Sequence, residues 1–426
     1  GVREISSKAV DHYIYSIQAG VIPAAYMSEA LFTWFYETRV RRADDPSALT
    51  FMLGFDSLPI RAEKSLYALA EWCRERPALA DLLSRTGSEQ IETWLADRAG
   101  LPAELPAHDW AEFGARLTAH LDQFGHAIYD LDFAKSVPAD DPTPLIETLK
   151  HLVKGQAADP YRRQQEATRR RLEATRRLEG RLKGWKLAGF RRLLNWAQRL
   201  APIREDALGD VGLGWPLLRR MLLELGRRLT SAGAIHRPDD VFWLTETEVD
   251  ELAGSLDAGE PHLVDKSRAV DERKSRIERE SRQTPPVSLP EKYIFAGVDM
   301  TRWLPARGAQ EAGNTIKGIG ASPGQVTATA RVLRGPQDFG QMKPGDVLVA
   351  AITTPAWTPL FALASAVVTD VGGPLSHSSI VAREYGIPSV LGTGVATRRI
   401  HSGDMITVDG SAGIVTLPND QPLPNN

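Results

Sequence analysis

The chain has 426 residues, of which 42% are apolar and 25% charged, ordinary for a soluble globular protein of two or three domains. Its formal charge of −3 gives the whole molecule no strong pull toward nucleic acid or an anionic membrane. A single cysteine, Cys73, excludes an intramolecular disulfide and a cysteine-rich zinc site, and no apolar run approaches the roughly 18–20 residues of a membrane span. The N-terminus lacks the basic-then-apolar layout of a signal peptide, so the expected location is the cytoplasm.

From Val2 to about Leu263 apolar residues recur at three- and four-residue spacing, the period of amphipathic helices. Arg61 to Cys73 (RAEKSLYALAEWC) predicts one helix. Ala111 to Phe124 predicts another, with Phe113, Leu117, Leu121 and Phe124 along one face. Gly and Pro punctuate between helices, as at Pro102 and in the DPTP run at 141–144.

Residues 159–200 form a charged helical block, with thirteen Arg and Lys against four acids. Such a block fits an anion-binding or nucleic-acid face. It fits better a long solvated helix whose Glu and Arg pair along the surface, because no aromatic residues interleave with the first basic stretch. No nucleic-acid partner is therefore expected.

The character changes near residue 284. TPPVSLP at 284–290 reads as an extended connector, and the Gly-, Ala- and polar-rich run from Pro305 to Asn314 as a flexible linker. Short β-type runs follow: the alternating QVTATARVL at 325–333, then DVLVA at 346–350, AVVT at 366–369, PSVL at 388–391 and MITV at 405–408. The expected organisation is multidomain. A large, mainly α-helical domain spans 1–304 and a linker 305–316. A small α/β domain spans 317–418, and a frayed tail 419–426.

The chemistry concentrates in TDVGGPLSHSSIVAREYGIP, residues 369–388. A buried strand is expected to end at Thr369, followed by a Gly-Gly turn. Ser376 then sits where an N-cap belongs, and a helix runs to Tyr385, with Gly386 at the left-handed C′ position and Pro388 beyond. His377 falls in the first turn, where free backbone N–H groups and the helix dipole favour an anion. Gly372 and Gly373 let the backbone approach a bulky group. Imidazole is a good nucleophile at neutral pH, so His377 is the candidate nucleophile. A histidine at an ordinary helix start would look the same locally.

This segment resembles the phosphohistidine, or swivelling, domain of the phosphoenolpyruvate-utilising enzymes, which include phosphoenolpyruvate synthase, pyruvate phosphate dikinase and rifampin phosphotransferase. The likeness extends through GIGASPG at 318–324, PGDVLV at 344–349, TTPAWTPLF at 353–361, GIPSVLGT at 386–393 and GDMITVDG at 403–410, about residues 316–417 in all. The helical part is less sharply similar. FGHAIYDLD at 124–132 is like a Tyr-Gly-His-Arg segment of the central domain in rifampin phosphotransferase-like proteins, with Ala127 where the arginine would stand. GAIHRPDDVFWLT at 233–245 is like another stretch of that domain. A helical domain followed by the histidine domain is the order of that type.

The resemblance implies a phosphotransferase component. His377 would accept a phosphoryl group from ATP and pass it to the hydroxyl of a small organic acceptor. Gly372, Gly373, Ser376 and Ser378 would contact the phosphate. Arg383, six residues on and so on another face of an ideal helix, is a further candidate for that contact, beside a packing role. Nothing in residues 1–316 reads as the family's ATP-grasp domain, so ATP and Mg2+ are expected on a partner domain or subunit, with no metal ligands in this chain. The acceptor is expected near His126, Asp130 and Asp132, where His126 and Asp130 would be i,i+4 neighbours if the segment stays helical. Two alternatives stand beside this: an ATP-dependent ligase that phosphorylates a hydroxyl only to make it leave, and a non-catalytic scaffold.

Overall fold

A computed structural model describes residues 11, 20–97, 100–102, 105–260, 262–281, 294–295, 298–299, 313–373 and 376–418. The connector at 284–290, most of the expected linker and the tail at 419–426 lie outside the described residues. The chain forms two compact units. One comprises residues 12–130, 137–212 and 307–426; the other comprises 1–11, 131–136 and 213–306. No helix among the described residues is long and apolar enough to cross a membrane.

Among the described residues of the larger unit eight α-helices precede the sheet: α1 (Ile22–Phe35), α2 (Leu58–Arg74), α3 (Pro77–Arg85), α4 (Ser88–Ala96), α5 (Ala107–Phe124), α6 (Thr143–Val153), α7 (Pro160–Arg181) and α8 (Gly184–Gly209). Pro lies in the first turn of α1, α2, α3, α6 and α7, where its missing N–H costs nothing. The periodic residues of α2 and α5 do what their spacing requires. Leu66, Leu69, Ala70 and Cys73 bury against Phe113 and Leu117, and Ile146 and Leu149 of α6 join the same core. A second core is aromatic: Phe32, Tyr36, Phe51 and Phe190 pack mostly edge-on or tilted, with ring centroids 5.1–6.3 Å apart.

The charged block at 159–200 is not one helix. It breaks at Leu182 and Lys183, both extended, and restarts at Gly184, whose φ is +57°. The surface pairing expected of it is present in Arg162–Glu166 and Arg169–Glu173. Its inner arginines turn to the core side: Arg181 grips buried Asp45 at 2.7 Å, and Arg163 pairs with buried Glu63.

The sheet of this unit has eight strands: β3 (Thr315–Lys317), β4 (Ile319–Ser322), β5 (Gln325–Leu333), β6 (Val347–Ala350), β7 (Ala366–Thr369), β8 (Ser389–Leu391), β9 (Met405–Asp409) and β10 (Ile414–Thr416). Their order is β3-β10-β9-β5-β6-β7-β8-β4. The run β5-β6-β7-β8 is parallel and the flanking pairs are antiparallel. β6, β7 and β8 are buried throughout, so both faces are covered, as a parallel sheet demands. Alternate residues serve opposite cores. Val347, Val349 and Val368 face Ile400 and Ile406, whereas Leu348, Ala350 and Val367 face Trp357, Phe361 and Val381. The short helices α12 (Thr358–Phe361) and α14 (Ala396–Arg399) and the longer α13 (His377–Tyr385) connect the strands.

The smaller unit contains helices α9 (Trp215–Ser231), α10 (Glu246–Asp257) and α11 (Ser267–Ser281) and a two-stranded ribbon, β1 (Ile294–Phe295) with β2 (Val298–Asp299). Leu229, Ala234, Ile235, Val241 and Leu252 make its core. Thr245 and Glu248 form a reciprocal N-terminal cap, and Arg273 binds Glu248 at 2.7 and 3.0 Å.

Candidate active site

β7 ends at Thr369, and the chain turns through Gly372 and Gly373 into α13, which begins at His377. Gly372 has φ +144°, and a Cβ there would stand 3.1 Å from Ser376 Oγ, so glycine is required. Gly373 faces open space. Pro374 and Leu375 lie outside the described residues. Ser376 has the extended backbone of an N-cap, but its hydroxyl does not cap the helix; it donates to Gly373 O at 2.9 Å. The helix closes on Gly386 at φ +66°.

His377 is only 7% exposed, because α13 lies against the helical part of the same unit. Its Nε2 is 3.3 Å from Thr358 Oγ1, and the Phe361 ring meets it edge-on at 6.4 Å. Its Nδ1 faces Glu205 Oε2 of α8 at 3.5 Å, an ion-pair distance longer than a good hydrogen bond. Glu205 is buried and accepts from Arg204 Nε at 3.1 Å. Arg204 Nη1 in turn binds buried Glu29 of α1 at 2.6 Å. Burial pushes the Glu205 carboxyl upward, but His377 and Arg204 together outweigh it and hold it below the ordinary value. A histidine ring thus ends a buried row of polar groups: Glu29, Arg204, Glu205, His377. A cleft between α13 and the helical part, lined by Phe55, Ser57, Glu205, Ile380 and Glu384 but not by His377, has a volume of about 20 Å³, room for about one water.

The other expected residues fall in three groups. Ser378 Oγ shares a hydrogen bond of 2.7 Å with Thr353 Oγ1, tying α13 to the loop after β6. Arg383 is buried, donates to Ala321 O at 3.2 Å and to Ser379 Oγ, and is pulled down by burial to about 10. The structure therefore gives it the packing position. His126, Asp130 and Asp132 do not sit on one helical face, because α5 ends at Phe124 and a turn follows. His126 Nε2 instead meets Asp210 Oδ1 at 3.2 Å. Asp130 is the last residue of its stretch in the larger unit, and Asp132 belongs to the smaller one, where it accepts the Ala134 N–H at 2.9 Å. The segment after His126 does reach the sheet domain: Thr354 Oγ1 donates to Ile128 O at 2.5 Å and Trp357 Nε1 to Tyr129 O at 2.8 Å.

Residues 342–413 match the family model described as the mobile domain of PEP-utilising enzymes, and residues 19–205 match the fourth domain of rifampicin phosphotransferase. The chain is 25% identical to the rifampicin phosphotransferase of Streptomyces sviceus over 94% of its own length and 44% of that protein. It is 31% identical to the prodigiosin synthesizing transferase of Serratia marcescens, over 84% of its length and 38% of that protein. It is 29% identical to the chondramide synthase of Chondromyces crocatus, over 88% of its length and 10% of that protein. The chain spans less than half of each of these relatives.

Proposed function

Because the chain belongs to the phosphoenolpyruvate-utilising enzymes over its two matched regions, we propose that it is the phosphoryl-carrying component of a phosphotransferase and that His377 is the carrier. The observation that supports this most is the pairing of Nδ1 with Glu205, a carboxylate from a different helical layer. A carboxylate there holds the proton on Nδ1 and leaves the Nε2 lone pair for phosphorus. In loading, a P–N bond forms at Nε2 as the P–O bond of the donor breaks. In delivery, the acceptor oxygen attacks phosphorus, its proton passes to a base, and the P–N bond breaks. Glu205 stabilises the ring in its Nδ1-protonated form, which leaves as a neutral imidazole. Most of the remaining catalysis is positioning and charge stabilisation.

ATP is the proposed donor. Among the described residues no group of three or more His, Cys, Asp or Glu could hold a metal ion. The nucleotide and its ion are assigned to an ATP-grasp domain or subunit. The arrangement described is the delivery arrangement in its closed form. His377 is buried against the helical part, so the organic acceptor enters as α13 moves off it. For the general base we assign His126, held by Asp210 rather than by Asp130.

The likeness to a prodigiosin synthesizing transferase supports a second reading with the same first steps. The phosphorylated acceptor would then condense with a second molecule and release phosphate. Product analysis separates the two: a stable phosphoester for transfer, a condensed product plus free phosphate for ligation. For the carrier itself, the chain is incubated with Mg·ATP in extract of its own cells. The expected result is an acid-labile, base-stable phosphoryl group on His377 that His377→Ala abolishes.

A further inference from the structure

The far end of the His377 helix makes a second set of contacts that the chemistry above does not use. Glu384 is half-buried, and its two carboxylate oxygens accept the Gly54 backbone N–H at 2.7 and 2.9 Å. Gly54 follows the short turn Ala48–Met52 and has φ +76°; a Cβ there would stand 2.5 Å from the backbone N of Thr168. Only glycine fits, so the amide that meets Glu384 is held by the fold. Thr168 Oγ1 closes the other side by donating to Gly54 O at 2.8 Å. The next residue, Tyr385, lies under the guanidinium of Arg163, 3.5 Å from its ring centroid, and Arg163 is paired with buried Glu63 of α2. Tyr385 also donates to Thr358 O at 3.2 Å, so this cluster is one residue's length from the hydroxyl that meets His377.

The charged groups facing Glu384 are Arg163 and Arg171 of α7 and Arg383 of its own helix. Burial outweighs them and the Gly54 amide, and the carboxyl is pushed up to about 7. A carboxylate buried this way makes docking reversible rather than permanent, since docking must strip its water.

We infer that Glu384 and Tyr385 form a docking latch on Gly54 and Arg163, and that the four are positioning residues. They seat the His377 helix against the helical part for delivery and release it for loading. The inference rests on the carrier reading of His377, but docking itself is measurable without any phosphoryl group.

The test uses the full chain with spin labels at Arg170→Cys and Met405→Cys, both exposed positions on the two sides of the contact. Cys73 is fully buried and stays unlabelled. Pulsed electron resonance should give one short, narrow distance, and Glu384→Ala should lengthen and broaden it. Chemical loading with phosphoramidate then reports delivery to water. Glu384→Ala should load His377 at least as fast and discharge it about tenfold more slowly, the size of one lost hydrogen bond. An unchanged distance overturns the latch. A lengthened distance with an unchanged discharge rate overturns the positioning role. Should Glu384→Ala fail to fold, Glu384→Gln keeps an acceptor for the Gly54 amide and removes the titration. Its distance distribution should then be independent of pH where the wild type's is not. The same pH dependence in both overturns the inference.

Discussion

Replacing Glu205 by Gln tests the delivery step through its electrostatics. Two unit charges 3.5 Å apart, the distance from Glu205 Oε2 to His377 Nδ1, attract by about 5 kcal/mol at an effective dielectric of about 20. That attraction acts only on the ring that carries a proton on Nδ1, the form from which phosphorus departs. A glutamine keeps the shape and a dipole, so roughly half is lost, about 2–3 kcal/mol or roughly 30- to 160-fold in rate. Arg204 retains Glu29 at 2.6 Å, so the substitution leaves no orphaned guanidinium to unfold the site. The assay loads the chain with phosphoramidate at alkaline pH, returns it to neutrality and follows the phosphoryl group on the His377 peptide by mass spectrometry. Phosphohistidine in Glu205→Gln should outlive that in the wild type by the factor given. An equal lifetime would refute the claim that this carboxylate acts on the departing ring.

Other consequences follow from particular contacts. The Glu384 carboxyl is raised to about 7 in the docked state against an ordinary 4.5, so docking takes up a proton. The docked state is fully favoured below about pH 4.5 and loses that advantage as pH rises to about 7, so the labelled pair should shift toward long distances between about pH 4.5 and about pH 7. Phe190→Ala empties the centre of the aromatic core and should cost about 3–5 kcal/mol in urea unfolding; a loss under about 1 kcal/mol would mean that core is not closely packed. Calorimetry of the isolated chain with Mg·ATP should show no tight binding, and a tight isotherm would place a nucleotide site in this chain. In His126→Ala, loading of His377 should stay normal while transfer to an acceptor slows; equal transfer would move the base elsewhere.

The sheet domain was legible because its signals are local. The alternation at 325–333 and the apolar run at 366–369 became strands with the expected limits, and Gly386 took the left-handed C′ position that its place before Pro388 required. The partner of His377 was not legible. Glu205 lies 172 residues upstream in sequence, and only packing of α13 on α8 brings it there. One signal existed: Glu29 is the lone acid in an otherwise apolar α1, and Arg204 and Glu205 follow an apolar stretch of α8, places where a charge needs a buried partner. His126 was misread in its surroundings because the helical period at Phe113, Leu117 and Phe124 gives no warning that α5 stops at Phe124. The break at Leu182 was missed for the reverse reason: Arg-rich sequence on either side has strong helix propensity, and only Gly184 marks the restart.

The central claim is that His377 carries the phosphoryl group. Its most direct measurement is peptide mapping of the chain, kept alkaline, after incubation with Mg·ATP in extract of the cells that make it. The account predicts one added phosphoryl mass on the peptide containing His377, removed by mild acid and absent from His377→Ala. A phosphoryl group found on another residue, or undiminished in His377→Ala, would contradict it.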